Sequence, residues 1–198
     1  MRTRLLRIYA PLLPALLQAA CLAPEPAPPV HWYRPLPGPP PQEAPSPRGG
    51  LRPVVVQAAR HLGAPLVWRE EGSPDVGFHP GDRWTEDPDE RVQAAVEREL
   101  FESGAFRRSR GRAPSLEIRL DAFEEVRSPA GSRARVEGVV RLLDSQGAAL
   151  LEERIREEEP LGAPGPAGLA RALGPALSRF ALRVREAVEA AWPKVPGS

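Results

Sequence analysis

Between Ser115 and Glu157 apolar side chains recur at every second position, three times over. That rhythm limits the fold more than anything else in the sequence. Leu116, Ile118, Leu120 and Ala122 alternate with Glu117, Arg119 and Asp121. Val136, Gly138, Val140 and Leu142 alternate with Arg135, Glu137 and Arg141, and Leu151 and Ile155 point inward in the run Ala149–Glu157. A period of two belongs to a strand with one buried and one wet face. Ser128-Pro129-Ala130-Gly131-Ser132 and Asp144-Ser145-Gln146-Gly147 lie between the runs and supply turns, so the three segments predict an antiparallel meander.

Two helices bracket this meander. Asp87 suits an N-cap, Pro88 the first helical position, and Glu90 completes a capping box with Asp87. Val92, Ala95, Val96 and Leu100 then form one apolar stripe, and Gly104 after Ser103 suits a stop, so a helix is predicted from about Pro88 to Ser103. A second stripe runs through Leu169, Ala172, Leu173, Ala176, Leu177, Phe180, Ala181, Val184 and Val188 to about Trp192. Pro175 lies inside it and predicts a kink. Pro193 and Pro196 end the ordered chain.

Three shorter strands precede the first helix: Leu51–Ala58 with its run Val54-Val55-Val56, Leu66-Val67-Trp68-Arg69, and Asp75–His79. Glu71-Gly72-Ser73-Pro74 and Pro80-Gly81-Asp82 read as turns. The order of elements predicts an α+β fold. It is a two-layer sandwich, a mixed or antiparallel sheet of about five to six strands with two helices packed on one face.

The N-terminal fifth has another texture. Arg2, Arg4 and Arg7 precede the short apolar run Tyr9–Leu17, and Ala19 and Ala20 precede Cys21, the layout of a secretory signal over residues 1–20. Pro11 and Pro14 interrupt the apolar run, which is far short of the ~20 residues that span a bilayer. Cys21 is the only cysteine, so no intrachain disulfide and no multi-cysteine zinc site can form. Small residues before a lone cysteine resemble a lipoprotein signal, in which that cysteine is acylated on sulfur. The alternative is an ordinary cleaved signal with a chance cysteine, and Gln18 stands where lipoprotein signals usually carry an aliphatic residue. Residues 22–50 hold eleven of the 26 prolines and end at Gly49-Gly50. That composition predicts an extended polyproline or disordered tether from the anchored cysteine, followed by one domain over residues 51–198. Within the tether, Trp32, Tyr33 and Leu36 are expected to dock, on the parent domain or on a neighbouring copy.

Charge and chemistry narrow the function. The 27 basic and 26 acidic residues give a net charge of +1. Without residues 1–20 the balance is 24 against 26, a net of −2, which offers no global attraction for nucleic acid. His31, His61 and His79 lie apart, with no metal-ligand spacing among them, and no nucleophile elbow, phosphate loop or dinucleotide fingerprint is present. These absences point to no cofactor and no metal, and leave a glycosidase-like pair among the many carboxylates as the one catalytic alternative. Phe78 and Trp84 flank the predicted turn Pro80-Gly81-Asp82 and are candidate contact residues for a partner or a second subunit, with core packing the alternative for each.

Several phrases, in their order, resemble the ABC-type transport auxiliary lipoprotein family, the PqiC-like proteins. They are the lipoprotein-like signal, Trp32–Leu36 in its proline run, Leu51–Ala59, and Leu66-Val67-Trp68-Arg69. Further on come Gly77-Phe78-His79, Arg83-Trp84-Thr85-Glu86-Asp87-Pro88, and Leu100-Phe101-Glu102-Ser103-Gly104-Ala105-Phe106. The arginine-rich stretch from Arg107 to Pro114 matches no family feature. The resemblance implies a lipid-anchored protein on the periplasmic face of the outer membrane. It would be a non-catalytic accessory of an ATPase, a permease and an MCE-type periplasmic protein that move phospholipids. The alternative reading is a stand-alone exported lipid- or glycan-binding module.

Anchoring through Cys21 can be tested by substitution. Cys21→Ala is expected to move the mature protein from the membrane fraction to the soluble one on cell fractionation. Retention on the membrane by a wild-type protein with an unmodified thiol would contradict it.

Overall fold

The computed structural model describes residues 28–192. The predicted signal, Cys21 and the closing prolines lie outside them. The meander is the backbone of the fold. Strands β7 (Ser115–Arg127), β8 (Arg133–Leu143) and β9 (Ala149–Pro160) pair antiparallel in sequence order. Six shorter strands precede them: β1 (His31–Tyr33), β2 (Gly50–Leu51), β3 (Val55–Ala58), β4 (Pro65–Glu70), β5 (Val76–Trp84) and β6 (Arg107–Arg108). Both β3 and β4 lie parallel to the free edge of β7, β3 beside Glu117–Leu120 and β4 beside Glu124–Arg127. Strand β5 then pairs antiparallel with β4, and β1 parallel with β5, to give a seven-stranded mixed sheet. The remaining two, β2 and β6, form a separate parallel pair.

Two helices cover one face, as the single wet face of the meander requires. Helix α1 (Pro88–Glu97) packs on β3, and α2 (Pro166–Ala191) lies across β7, β8 and β9 and against α1. Leu116, Ile118, Leu120, Val136, Val140, Leu142 and Ile155 meet Leu169, Leu173, Phe180, Val184 and Val188 in one core. The α+β sandwich predicted from sequence is the fold observed.

Three local expectations are corrected. Asp87 sits at the N-cap with extended backbone and its carbonyl accepts from the Arg91 N–H at 3.0 Å, but no side-chain cap bond forms. Asp87 and Glu90 are both exposed, so water serves them as well as a capping box would. The predicted helix to Ser103 changes pitch instead of continuing. Arg98–Glu102 form a π-helical turn, which brings Glu99 inward to an ion pair with Arg185 at 2.8 Å. The turn expected at Pro80-Gly81-Asp82 lies inside β5, where residues 79–82 bulge opposite Leu66 and Gly81 takes φ +77°. Helix α2 runs its 26 residues through Pro175, which is exposed.

The described part of the proline-rich segment lies against the body as an extended strap. Proline lacks an N–H but keeps a carbonyl, and arginines from the helices supply donors. Arg91 donates to the Pro35 carbonyl at 3.2 Å, Arg98 to Pro39 at 3.4 Å, and Arg185 to Gln42 at 3.0 Å. Backbone bonds add Ala44 N–H to Ser103 O at 2.7 Å and Arg48 N–H to Ala105 O at 2.9 Å, and the Trp192 indole donates to Arg48 O at 3.1 Å. The strap touches α2 at Gly174, where a Cβ would stand 2.4 Å from the Leu36 carbonyl oxygen.

That approach gives a test with opposed terms. In a free helix Gly→Ala stabilises by about 0.5–1 kcal/mol. Here the added methyl meets backbone, and overpacking costs about 1–3 kcal/mol. Gly174→Ala is therefore expected to lower stability in urea by about 1 kcal/mol and to speed proteolysis near residues 34–40. The same substitution in a chain lacking residues 28–49 is expected to stabilise.

Candidate functional site

The edge formed by β1 and β5 combines inward pins with outward apolar side chains. Register places His31, Trp32 and Tyr33 beside Asp82, Arg83 and Trp84. Trp84 is 2% exposed and meets Phe123 edge to face at 5.5 Å. Tyr33, its neighbour on the same face, packs against the core. Burial, then the Asp82 charge and hydrogen bond, holds the Tyr33 phenol above its ordinary range, so it stays neutral and donates to that carboxylate. His31 Nδ1 lies 3.4 Å from the same Asp82. With Tyr33 turned in, alternation turns Trp32 out, and it is 61% exposed.

The same device sets Phe78. Its neighbour His79 is buried, with Nε2 3.0 Å from Oε2 of Glu125, which is 3% exposed. Since Glu125 can only accept, His79 carries its proton on Nε2. Arg127 donates to both Glu125 oxygens, Nε at 3.1 Å and Nη2 at 3.3 Å, and its guanidinium stands 4.2 Å over the Trp68 ring. Trp68 in turn lies across Gly77, where a Cβ would come within 2.2 Å of the indole. Gly77 and His79 are thus fixed on the inner face and Phe78, 48% exposed, is fixed outward.

Burial alone would raise the Glu125 carboxyl. Hydrogen bonds from His79, Arg127 and Ser132 and the Arg127 charge outweigh it and hold the group at about 2. The residue before it, Glu124, points to the other face and takes Arg69 Nε at 3.0 Å and Nη2 at 3.4 Å. Sequence reading missed this back-to-back pair of buried acids. The one signal was the adjacent Glu124-Glu125 at the end of a strand otherwise alternating.

The predicted contact residues therefore separate. Trp32 and Phe78 stand outward on one sheet edge, and Tyr33 and Trp84 face inward. Leu36 is exposed on the helix side, where its backbone lies on Gly174. A cleft of about 230 Å³ opens there between the strap and the two helices, lined by Arg91 and Arg98, which the strap carbonyls already engage. The arginine-rich stretch is structural: Arg107–Arg108 form β6, and Arg108 binds Glu97 at 2.6 Å while lying 4.3 Å over Phe101. Among the described residues no cluster of three or more metal-ligating side chains occurs, and no helix is long and apolar enough to cross a membrane.

The family model described as the ABC-type transport auxiliary lipoprotein component matches residues 35–184, most of the fold just described. The chain belongs to that family. Solved structures similar to this auxiliary lipoprotein include protein XCC0632 from Xanthomonas campestris, at 20% identity and TM-score 0.71 over 83% of this chain and 98% of that one. An uncharacterized protein follows at 12% identity and TM-score 0.62, covering 80% and 98%. The hypothetical protein CT253 from Chlamydia trachomatis is similar at 9% identity and TM-score 0.53, covering 74% and 98%. At these identities the likeness is one of fold. No curated protein matches the chain.

The Glu125 cluster generates a pH test. Its folded value is depressed below the ordinary 4.5, so its stabilisation is complete above 4.5 and is lost as pH falls from there towards 2. Glu125→Gln is expected to reduce unfolding free energy by about 2–3 kcal/mol at pH 7. The gap between variant and wild type should close on titration to about pH 2. A gap independent of pH in chemical denaturation would contradict the assignment.

Proposed function

We propose that this chain is a non-catalytic, lipid-anchored accessory subunit of an ABC/MCE-type transport system, on the periplasmic face of the outer membrane. The observation that carries the proposal is the family match over residues 35–184. Acylated Cys21 holds the protein to the membrane, and the body serves as a positioning module for a periplasmic MCE-type protein and, through it, the permease and ATPase. Phospholipid is the cargo of that system. The architecture supports a positioning role: a rigid sheet with pinned edges, strapped on its helix side, presents fixed surfaces, as a docking subunit needs.

The test is recovery of the assembly. Crosslinking in the native host, followed by purification through a tag at the C-terminus, is expected to bring down an MCE-type protein with its permease and ATPase. Recovery of the chain with only a stoichiometric small ligand, and with no transporter subunit, would contradict the proposal in favour of a stand-alone binding module.

A further inference from the structure

The wet face of the sheet is divided between two kinds of surface. Along β7, β8 and β9 it is a lattice of arginines and carboxylates. Asp121 takes Arg119 at 2.9 Å and Arg154 at 3.0 Å, Glu137 takes Arg154 at 2.7 Å, and Glu158 takes Arg133, Arg135 and Arg156, each at 2.7 Å. At the β1–β5 edge large apolar side chains stand out on the same face, with Arg83 beside Trp32 in register. Trp32 and Phe78 project there by the alternation described above, and Val30, two residues before Trp32, joins them at 52% exposure. Single exposed apolar residues need no explanation, but three converge on one sheet edge here.

The path of the chain says what covers them. Strand β1 runs parallel to β5, and the Pro29 carbonyl lies 3.0 Å from where a Cβ on Gly81 would stand. The chain therefore arrives at β1 from the Phe78 end of this edge. Nine residues, Cys21 included, lead up to Val30. From β1 onward the chain is bonded to the body through Tyr33, Pro35, Pro39, Gln42, Ala44 and Arg48. A segment of nine residues reaches about 30 Å at most, so an acyl anchor at Cys21 keeps this edge near the lipid surface.

We propose that Val30, Trp32 and Phe78 rest in the headgroup–acyl boundary of the membrane that holds Cys21. The patch is a lipid-surface contact, an inference that rests on the reading of Cys21 as the anchor. An indole with an apolar body and a polar N–H suits that boundary. The contact can be weak, because the tether supplies a high effective concentration of lipid surface. The neighbouring ion-pair lattice stays out of hydrocarbon, where its charges would be costly, so the face as a whole fixes the tilt of the body on the bilayer.

The test uses the unacylated chain from Cys21 onward, coupled through its one thiol to maleimide-headgroup lipid in phosphatidylethanolamine–phosphatidylglycerol vesicles. Their acyl chains carry bromine, which quenches tryptophan on contact. Coupling works whether or not the cell acylates Cys21, so it separates this inference from the anchoring reading. The tethered protein is expected to lose about a quarter of its emission, the share of Trp32 among four tryptophans, and Trp32→Phe, a change at an exposed site, to abolish that loss. Emission unchanged by bromolipid, with Trp32 still quenched by aqueous iodide, would overturn the proposal and leave the patch to a protein partner. Bromolipid quenching would sustain the patch even if natively expressed Cys21→Ala protein stayed on the membrane, a result that counts against anchoring alone.

Discussion

The structure depends on one strand and the irregularity within it. Strand β7 carries β8 on one edge and both β3 and β4 on the other, so every other part of the main sheet reaches the core through it. A register shift between Leu120 and Ala122 leaves Asp121 as an extra residue. Before it Leu116, Ile118 and Leu120 face the helices; after it Phe123 and Glu125 do. A bulge of this kind re-aims the side chains that follow. It places Phe123 under Trp84, puts Glu125 within reach of His79, and lets Glu124 meet Arg69 on the opposite face. Without that shift Phe123 would leave the core and the acids would trade faces, so the pins behind Phe78 trace back to a single inserted residue.

The strap is the second constraint. A proline-rich segment cannot join a ladder as a donor, yet its carbonyls demand partners when they lie on a protein surface. Arg91, Arg98 and Arg185 come from the two helices and answer that demand at points well separated along the strap. The arginine richness of the chain thus has a structural use: a planar, always charged group with several donors can serve a carbonyl and a carboxylate together. Arg91 binds Pro35 and Glu86, and Arg185 binds Gln42 and Glu99. The helices and strap are in consequence one layer.

Much of the fold was legible from residues alone. The meander and both helices follow from periodicities of two and 3.6, which burial on one face imposes on any sequence. What was hidden has a common cause: it depends on partners distant in sequence. Alternation predicts Ala122 on the inner face with Leu120; the bulge at Asp121 instead sets Ala122 opposite Glu137 on the other face, and nothing local signals it. Pro80-Gly81-Asp82 has turn composition, and only its pairing opposite Leu66 makes it a bulge within β5. The proline run predicts an extended or disordered tether; its described part is extended and lies on the body, held by arginines more than fifty residues away. Of the site, the aromatic pairs were visible as unusual composition. Alternation alone could not say which member turns outward until Tyr33 and His79 had found Asp82 and Glu125.

These constraints join in one claim: the sheet presents an apolar edge to lipid and a charged face to water. The most direct measurement is depth in the membrane. Nitroxide labels at position 78, and at position 55 near the other end of β7, can be read for collision with oxygen and with a water-soluble nickel complex in membrane-bound protein. The account predicts oxygen-favoured, lipid-like collision at 78 and water-like collision at 55, although both native side chains are 48% exposed in the isolated chain. Equal, water-like values at the two positions would contradict it.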